Sequence, residues 1–213
     1  MRLLSHRASD GERLAVVVGE TVVDAVDLLG DGPWTMARLL VDVEETLGRL
    51  ATALAGAPAG AGLWLGDIDP LAPVPRPGKV IAIGRNYVDH AAEQGLAPPL
   101  EPTIFTKFGT SVVGDGAEIR WRASDTAQVD FEAELAVVIG KRARDVTTDR
   151  ALEFVLGYAC LDDVSARDLQ FGDGQWIRGK SLDTFCPFGP WIVTADQIPD
   201  PQALRIRCLV DGA

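Results

Sequence analysis

Three stretches of this sequence hold residues whose types and spacing could do chemistry. In DFEAELAVVIG, Glu132 and Glu134 stand two apart, and on a strand such residues share one face about 7 Å apart. In YACLDDVSARDLQ, an apolar run ends on the adjacent Asp162 and Asp163. Carboxylate oxygens brought within ~4 Å would repel by about 4 kcal/mol at an effective dielectric near 20, so a shared cation is expected. Glu132, Glu134 and Asp163 would together supply only oxygen. No pattern of His or Cys beside them suggests zinc. Hard-oxygen ligation points to magnesium or manganese, with calcium the third candidate. Each stretch also has a plain structural reading. The Glu132 end of the strand can reach solvent, and Asp163 or its rival Ser165 can cap the following helical turn.

In GRNYVDHAAE, His90 and Glu93 are three apart, which makes them neighbours on one side of a helix. A carboxylate beside an imidazole orients it and keeps it basic near neutral pH, as a general base acting on water requires. The plain alternative is an ordinary polar helix face. His6, on an N-terminal strand, has no such company and receives no role.

The stretch GQWIRGKS matches the phosphate-loop pattern letter for letter. That loop needs a buried strand before it and a helix after it. FGDG precedes it, and LDTFCPFGP follows with two prolines. The context excludes an NTPase.

The elements that must position these groups follow from periodicity. RLLSH, RLAVVV and TVVDAV alternate as a small antiparallel meander. WTMARLLVDVEETLGRLATAL places leucines at helical spacing, with Thr35 as N-cap and Gly48 as the point where the helix would split. Pro70, Pro73, Pro75 and Pro77 mark a stiff linker. The division is therefore residues 1–70, a linker at 71–78, and a β-rich α+β domain at 79–213. That domain has KVIAIG as a buried strand, DFEAELAVVIG as one long strand with an apolar second face, and LRIRCLV as its last strand. The final Asp-Gly is a hairpin signal with nothing returning, so the sequence predicts that C-terminal strands are missing.

The 213 residues carry a net charge of -11, which disfavours nucleic acid as a partner. KRAR at 141–144 is answered by Asp145 and Asp149. Three scattered cysteines suit a reducing compartment, and no early apolar run is long enough for a membrane. The expectation is a cytoplasmic protein with a small-molecule partner.

Taken in order, GRNYVDHAAE, IFTKFGTSVVG, DFEAELAVVIGK, YACLDDVSARDLQ and GKSLDTFCPFGPWIVT resemble the fumarylacetoacetate hydrolase family over residues 79–194. The resemblance implies a mixed β-sandwich or β-roll with short helices, preceded by a small N-terminal α+β domain, and a homodimer. It implies metal ligands at Glu132, Glu134 and Asp163, a water-activating pair at His90 and Glu93, and a catalytic lysine at Lys180. Substrate contacts fall on Arg167 and Gln170, and Arg85, Tyr87 and Lys107 join them on the substrate side. Gly109 stands where relatives often place a proline, and the family's Thr-Gly-Thr-Pro type segment has no counterpart. The implied activity is hydrolysis of a carbon–carbon bond in a β-diketo or 2-oxo acid such as an acylpyruvate, with magnesium or manganese stabilising an enolate. Isomerisation or decarboxylation of 2-oxo-alkenedioates on the same site is the first alternative. A non-catalytic, metal-stabilised module is the second.

Overall fold

The computed structural model describes residues 1–58, 60–93, 95, 97 and 99–212, without the side chains of His90, Ala91 and Glu93. The water-activating pair expected at His90 and Glu93 therefore lies outside the described side chains. The chain begins with β1 (Arg2–Ala8), β2 (Gly11–Val18) and β3 (Thr21–Asp24), the expected meander. Helix α1 (Ala25–Leu29) follows directly, where the sequence suggested that the third strand would continue.

The long amphipathic stretch forms two helices, α2 (Met36–Leu39) and α3 (Val43–Gly56). The break is not at Gly48. It falls where Asp42 accepts a hydrogen bond from the Glu45 amide and starts a new helix, as Thr35 does for α2 from Arg38. Leu39 and Leu50 are fully buried and pack α2 and α3 against Leu3, Leu14 and Ile192 of the sheet.

Next come β4 (Leu63–Trp64), β5 (Asp69–Leu71), β6 (Val80–Gly84), α4 (Val88–Glu93), β7 (Thr103–Lys107) and β8 (Val112–Val113). The remainder is β9 (Val129–Asp130), β10 (Ala133–Ile139), β11 (Val155–Asp162), β12 (Ser165–Ala166), α5 (Arg167–Gly172), α6 (Ile177–Lys180) and β13 (Cys186–Thr194). The main sheet runs β10-β11-β13-β1-β2-β3-β4, so the N-terminal meander joins the later strands through the antiparallel pairing of β1 with β13. Two small ladders, β6 with β7 and β9 with β12, stand apart from it.

Three sequence expectations change. KVIAIG is not buried: among the described residues β6 pairs only with β7, and Ile81 and Ile83 are exposed on its outer face. DFEAELAVVIG is not one strand with a covered second face. It breaks between β9 and β10, and Phe131, Val137 and Ile139 are exposed, since no described element covers that face. LRIRCLV has the side chains of a strand but takes no regular structure, and among the described residues no strand pairs with it. Among the described residues no helix is long and apolar enough to cross a membrane.

Candidate functional site

The site forms where the ends of β10, β11, β7 and α6 meet. Register brings the acidic stretches together, with Ala133 opposite Asp162 and Glu134 opposite Leu161. Beyond the ladder the two main chains stay bonded, the Asp163 amide donating to the Glu132 carbonyl at 2.9 Å. The Glu132 amide in turn donates to Asp162 Oδ1 at 2.9 Å. Asp162 thus fixes the backbone of a neighbouring acid. Burial pushes its carboxyl above the usual range, against the pull of that amide.

Lys180 ends α6, and its ammonium lies between two of the carboxylates, donating to Glu132 Oε2 at 2.7 Å and to Asp163 Oδ2 at 2.8 Å. The helix can approach so closely because residue 179 is glycine. A Cβ there would meet the Gln170 amide nitrogen at 2.6 Å and the Ala166 oxygen at 2.8 Å. The false phosphate loop is therefore a lysine-bearing helix packed against α5.

The other oxygen of each acid is held from outside. Arg167 reaches Glu132 Oε1 at 2.6 Å, and Lys107 donates to Asp163 Oδ1 at 2.6 Å. The rest of the Arg167 fork goes to Asp130 at 2.8 and 2.9 Å and to Gln170 Oε1 at 2.8 Å. The result is a chain of alternating charges: Asp130, Arg167, Glu132, Lys180, Asp163, Lys107. A buried charge is tolerable in such a chain because every neighbour has the opposite sign.

Glu134 is the exception. Among the described residues it has no ion-pair partner, and its carboxyl is pushed up to about 7, by burial first. The negative charges of Glu132 and Asp163 add to that push, while Tyr87 and Lys180 oppose it. Tyr87 lies at this edge as well, its hydroxyl accepting from the Leu135 amide at 3.0 Å. Burial and the Glu134 charge raise the phenol.

Arg85 has a left-handed φ of 55°, and its Nε is buried without a hydrogen-bond partner among the described residues. Backbone in that region costs on the order of 1–3 kcal/mol in a non-glycine residue and gathers at functional sites. The preceding Gly84 faces the Trp176 ring, which a Cβ would meet at 2.6 Å.

A divalent ion fits this donor set in chemistry. Glu132, Glu134 and Asp163 offer only hard oxygens, and a dication would stabilise the charged form of Glu134 that burial disfavours. As the side chains stand, no three His, Cys, Asp or Glu residues among those described are arranged to hold a metal. Lysine ammonium groups occupy the oxygens of Glu132 and Asp163.

The fumarylacetoacetate (FAA) hydrolase C-terminal family model matches residues 79–213. The chain belongs to the fumarylacetoacetate hydrolase family. Within that family it is 41% identical over 218 residues to the mitochondrial oxaloacetate tautomerase fahd2 of Xenopus laevis, covering 100% of this chain and 67% of the relative. It is 44% identical over 183 residues to the mitochondrial oxaloacetate tautomerase FAHD2A of Homo sapiens, covering 84% of this chain and 57% of that protein. The maleylpyruvate hydrolase of Sphingobium sp. SYK-6, solved with manganese(II) and pyruvate, superposes with a TM-score of 0.75 at 36% identity over 94% of this chain and 70% of that one. The chain thus spans roughly three fifths to two thirds of these curated relatives.

Sequence reasoning missed Asp130 and Asp162 as members of the site. The acidic alternation Asp130, Glu132, Glu134 was the available signal for the first. Asp162 was marked only as the neighbour of Asp163, because its role as a clamp depends on the register between β10 and β11.

Proposed function

We propose that this chain enolises a small 2-oxo acid, interconverting keto and enol forms of an oxaloacetate-like diacid. The observation that carries this reading is the Lys180 ammonium held between Glu132 and Asp163 at the end of a packed helix. Enolisation needs a fixed positive charge beside the forming oxyanion, which Lys180 supplies, and a group that gives and takes a proton, for which His90 with Glu93 is the candidate pair.

Glu132, Glu134 and Asp163 would hold a divalent ion, magnesium or manganese, which when bound supplies Lewis-acid polarisation of the 2-oxo group. Lys180 then steadies developing negative charge from a position fixed by the packing of Gly179. Arg167 keeps Glu132 oriented through Oε1, and Asp130 and Gln170 keep Arg167 in place. Tyr87 secures the sheet edge beside Glu134.

Carbon–carbon bond hydrolysis is the second reading, favoured by the likeness to a maleylpyruvate hydrolase. It requires His90 and Glu93 to activate water for attack on the distal carbonyl. Proton NMR of oxaloacetate and of an acylpyruvate, incubated with the chain and manganese or with EDTA, separates the readings. Accelerated keto–enol exchange without new acids supports tautomerisation. Cleavage of the acylpyruvate into two acids supports the hydrolase, and no turnover of either defeats both.

A further inference from the structure

Strand β7 turns Phe105 and Lys107 to one side, two residues apart, as strand alternation requires. The Phe105 ring lies 5.2 Å from the Lys180 ammonium and packs edge-on against Trp176 at 5.4 Å. Lys107, 2% exposed, points instead at Asp163 and donates to Oδ1 at 2.6 Å and to the Val164 carbonyl at 3.1 Å. The residues on the opposite side behave differently: Ile104 is exposed, and Thr106 bonds back to Val80. Just beyond the strand, the Phe108 amide donates to Ser181 Oγ at 3.1 Å, which ties the end of β7 to the residue after Lys180.

Lys180 is as buried as Lys107, but the two ammonium groups are held differently. Both partners of Lys180 are carboxylates, which can exchange one cation for another. One partner of Lys107 is a main-chain carbonyl of a residue only 2% exposed, which cannot leave without unfolding its segment. The other groups whose charges bear on this ammonium are Asp162, Lys180 and the Cys186 thiol. Lys107 is thereby fixed beside Asp163 and closed off from any substrate.

We infer that Lys107 is a positioning residue, holding Oδ1 of Asp163 so that Oδ2 alone is presented to the site, and that it makes no substrate contact. This departs from the substrate-side role that resemblance assigns to it, and it rests on the reading of Asp163 as a site carboxylate. An Asp with one oxygen tied by a backbone-anchored cation keeps a single rotamer and a single free lone-pair set, which is what a one-oxygen ligand requires.

The test is calorimetric titration of manganese(II), then of pyruvate at saturating manganese, into wild type, Lys107→Met, Asp163→Asn and the double variant, with circular dichroism to verify folding. The expected result for Lys107→Met is at least tenfold weaker manganese binding with pyruvate affinity unchanged within twofold. Adding Lys107→Met to Asp163→Asn should bring no further loss. Weaker pyruvate binding with unchanged manganese affinity would make Lys107 a substrate ligand and overturn the proposal. A lowered melting temperature with both affinities unchanged would make it merely structural, which overturns the proposal as well. Should Lys107→Met not fold, Lys107→Gln, which keeps an N–H donor, is judged by the same criteria. Failure of both to fold overturns the proposal. Wild type that takes up no manganese sinks the metal reading instead. Lys107 is then judged by urea unfolding of the same four proteins, where coupling to Asp163 supports it and additivity rejects it.

Discussion

The main chains of Glu132 and Asp163 are joined by a direct hydrogen bond, Asp163 N–H to Glu132 C=O at 2.9 Å, although the residues are far apart in sequence. The site is therefore built at the level of the backbone before any side chain is placed. Side-chain rotation can retune the carboxylates, but separating them would mean breaking the sheet end.

Asp162 is the clamp on that backbone, because its Oδ1 accepts from the Glu132 amide. Asp162→Asn keeps a carbonyl oxygen in the same place and should be tolerated. Asp162→Ala leaves the amide unpaired and should lose about 1–3 kcal/mol in urea unfolding. Equal behaviour of the two variants would remove Asp162 from this role.

Gly179 sets the depth at which α6 packs, since a Cβ would meet backbone atoms of Gln170 and Ala166 below 3 Å. Gly179→Ala should cost about 1–3 kcal/mol by overpacking. It should also displace Lys180 and so reduce turnover more than the stability loss explains. Full turnover in the folded variant would show that the position of Lys180 is not critical.

Lys180→Met removes the ammonium shared by Glu132 and Asp163 but leaves Arg167 and Lys107 on their outer oxygens. Turnover should fall by about 10²–10³, the scale for losing one preorganised charge at a developing oxyanion. Manganese binding by calorimetry should persist. Unchanged turnover contradicts the catalytic role.

His90→Ala should abolish acylpyruvate cleavage while leaving manganese affinity nearly intact, because a general base acts on water and not on the ion. Parallel loss of both in the same titration contradicts that division of roles.

Away from the site, Asp24 accepts from His6 at 2.5 Å and from Arg13 at 3.2 Å in the N-terminal meander. Burial works to raise its carboxyl, but the His6 hydrogen bond and the charges of His6 and Arg13 outweigh it, so the pKa is lowered from 3.8. A depressed folded pKa gives stability that is present above the unfolded value and lost as pH falls through the folded one. The stability gap between wild type and Asp24→Asn should therefore narrow as pH drops below about 4, as acid unfolding curves will show. A gap independent of pH in that range would disprove the linkage.

Much of this protein was legible in its residues. Alternation gave β1, β2 and β3, and the caps at Thr35 and Asp42 are of the residue types that start helices. The acidic pairs, Lys180 and the ordered motifs pointed to the family, because each depends on residue type and local spacing. What stayed hidden depends on what lies next to what. Strand character in LRIRCLV did not make a strand, because pairing is a property of two segments and no described strand lies beside it. The same limit explains why β6 is exposed, since a run of apolar residues does not say whether anything covers it.

The sequence by itself determined which acidic and basic groups were candidates and several of the strands beside them, β7, β10 and β11 among them, since propensity and alternation act over a few residues. Only the tertiary structure decided that Asp130 holds Arg167, that Asp162 clamps Glu132, and that Lys107 and Lys180 divide the two oxygens of Asp163 between them. Those assignments come from strand register and close helix packing. They bring charges within hydrogen-bonding reach across tens of residues, and no local pattern encodes that distance.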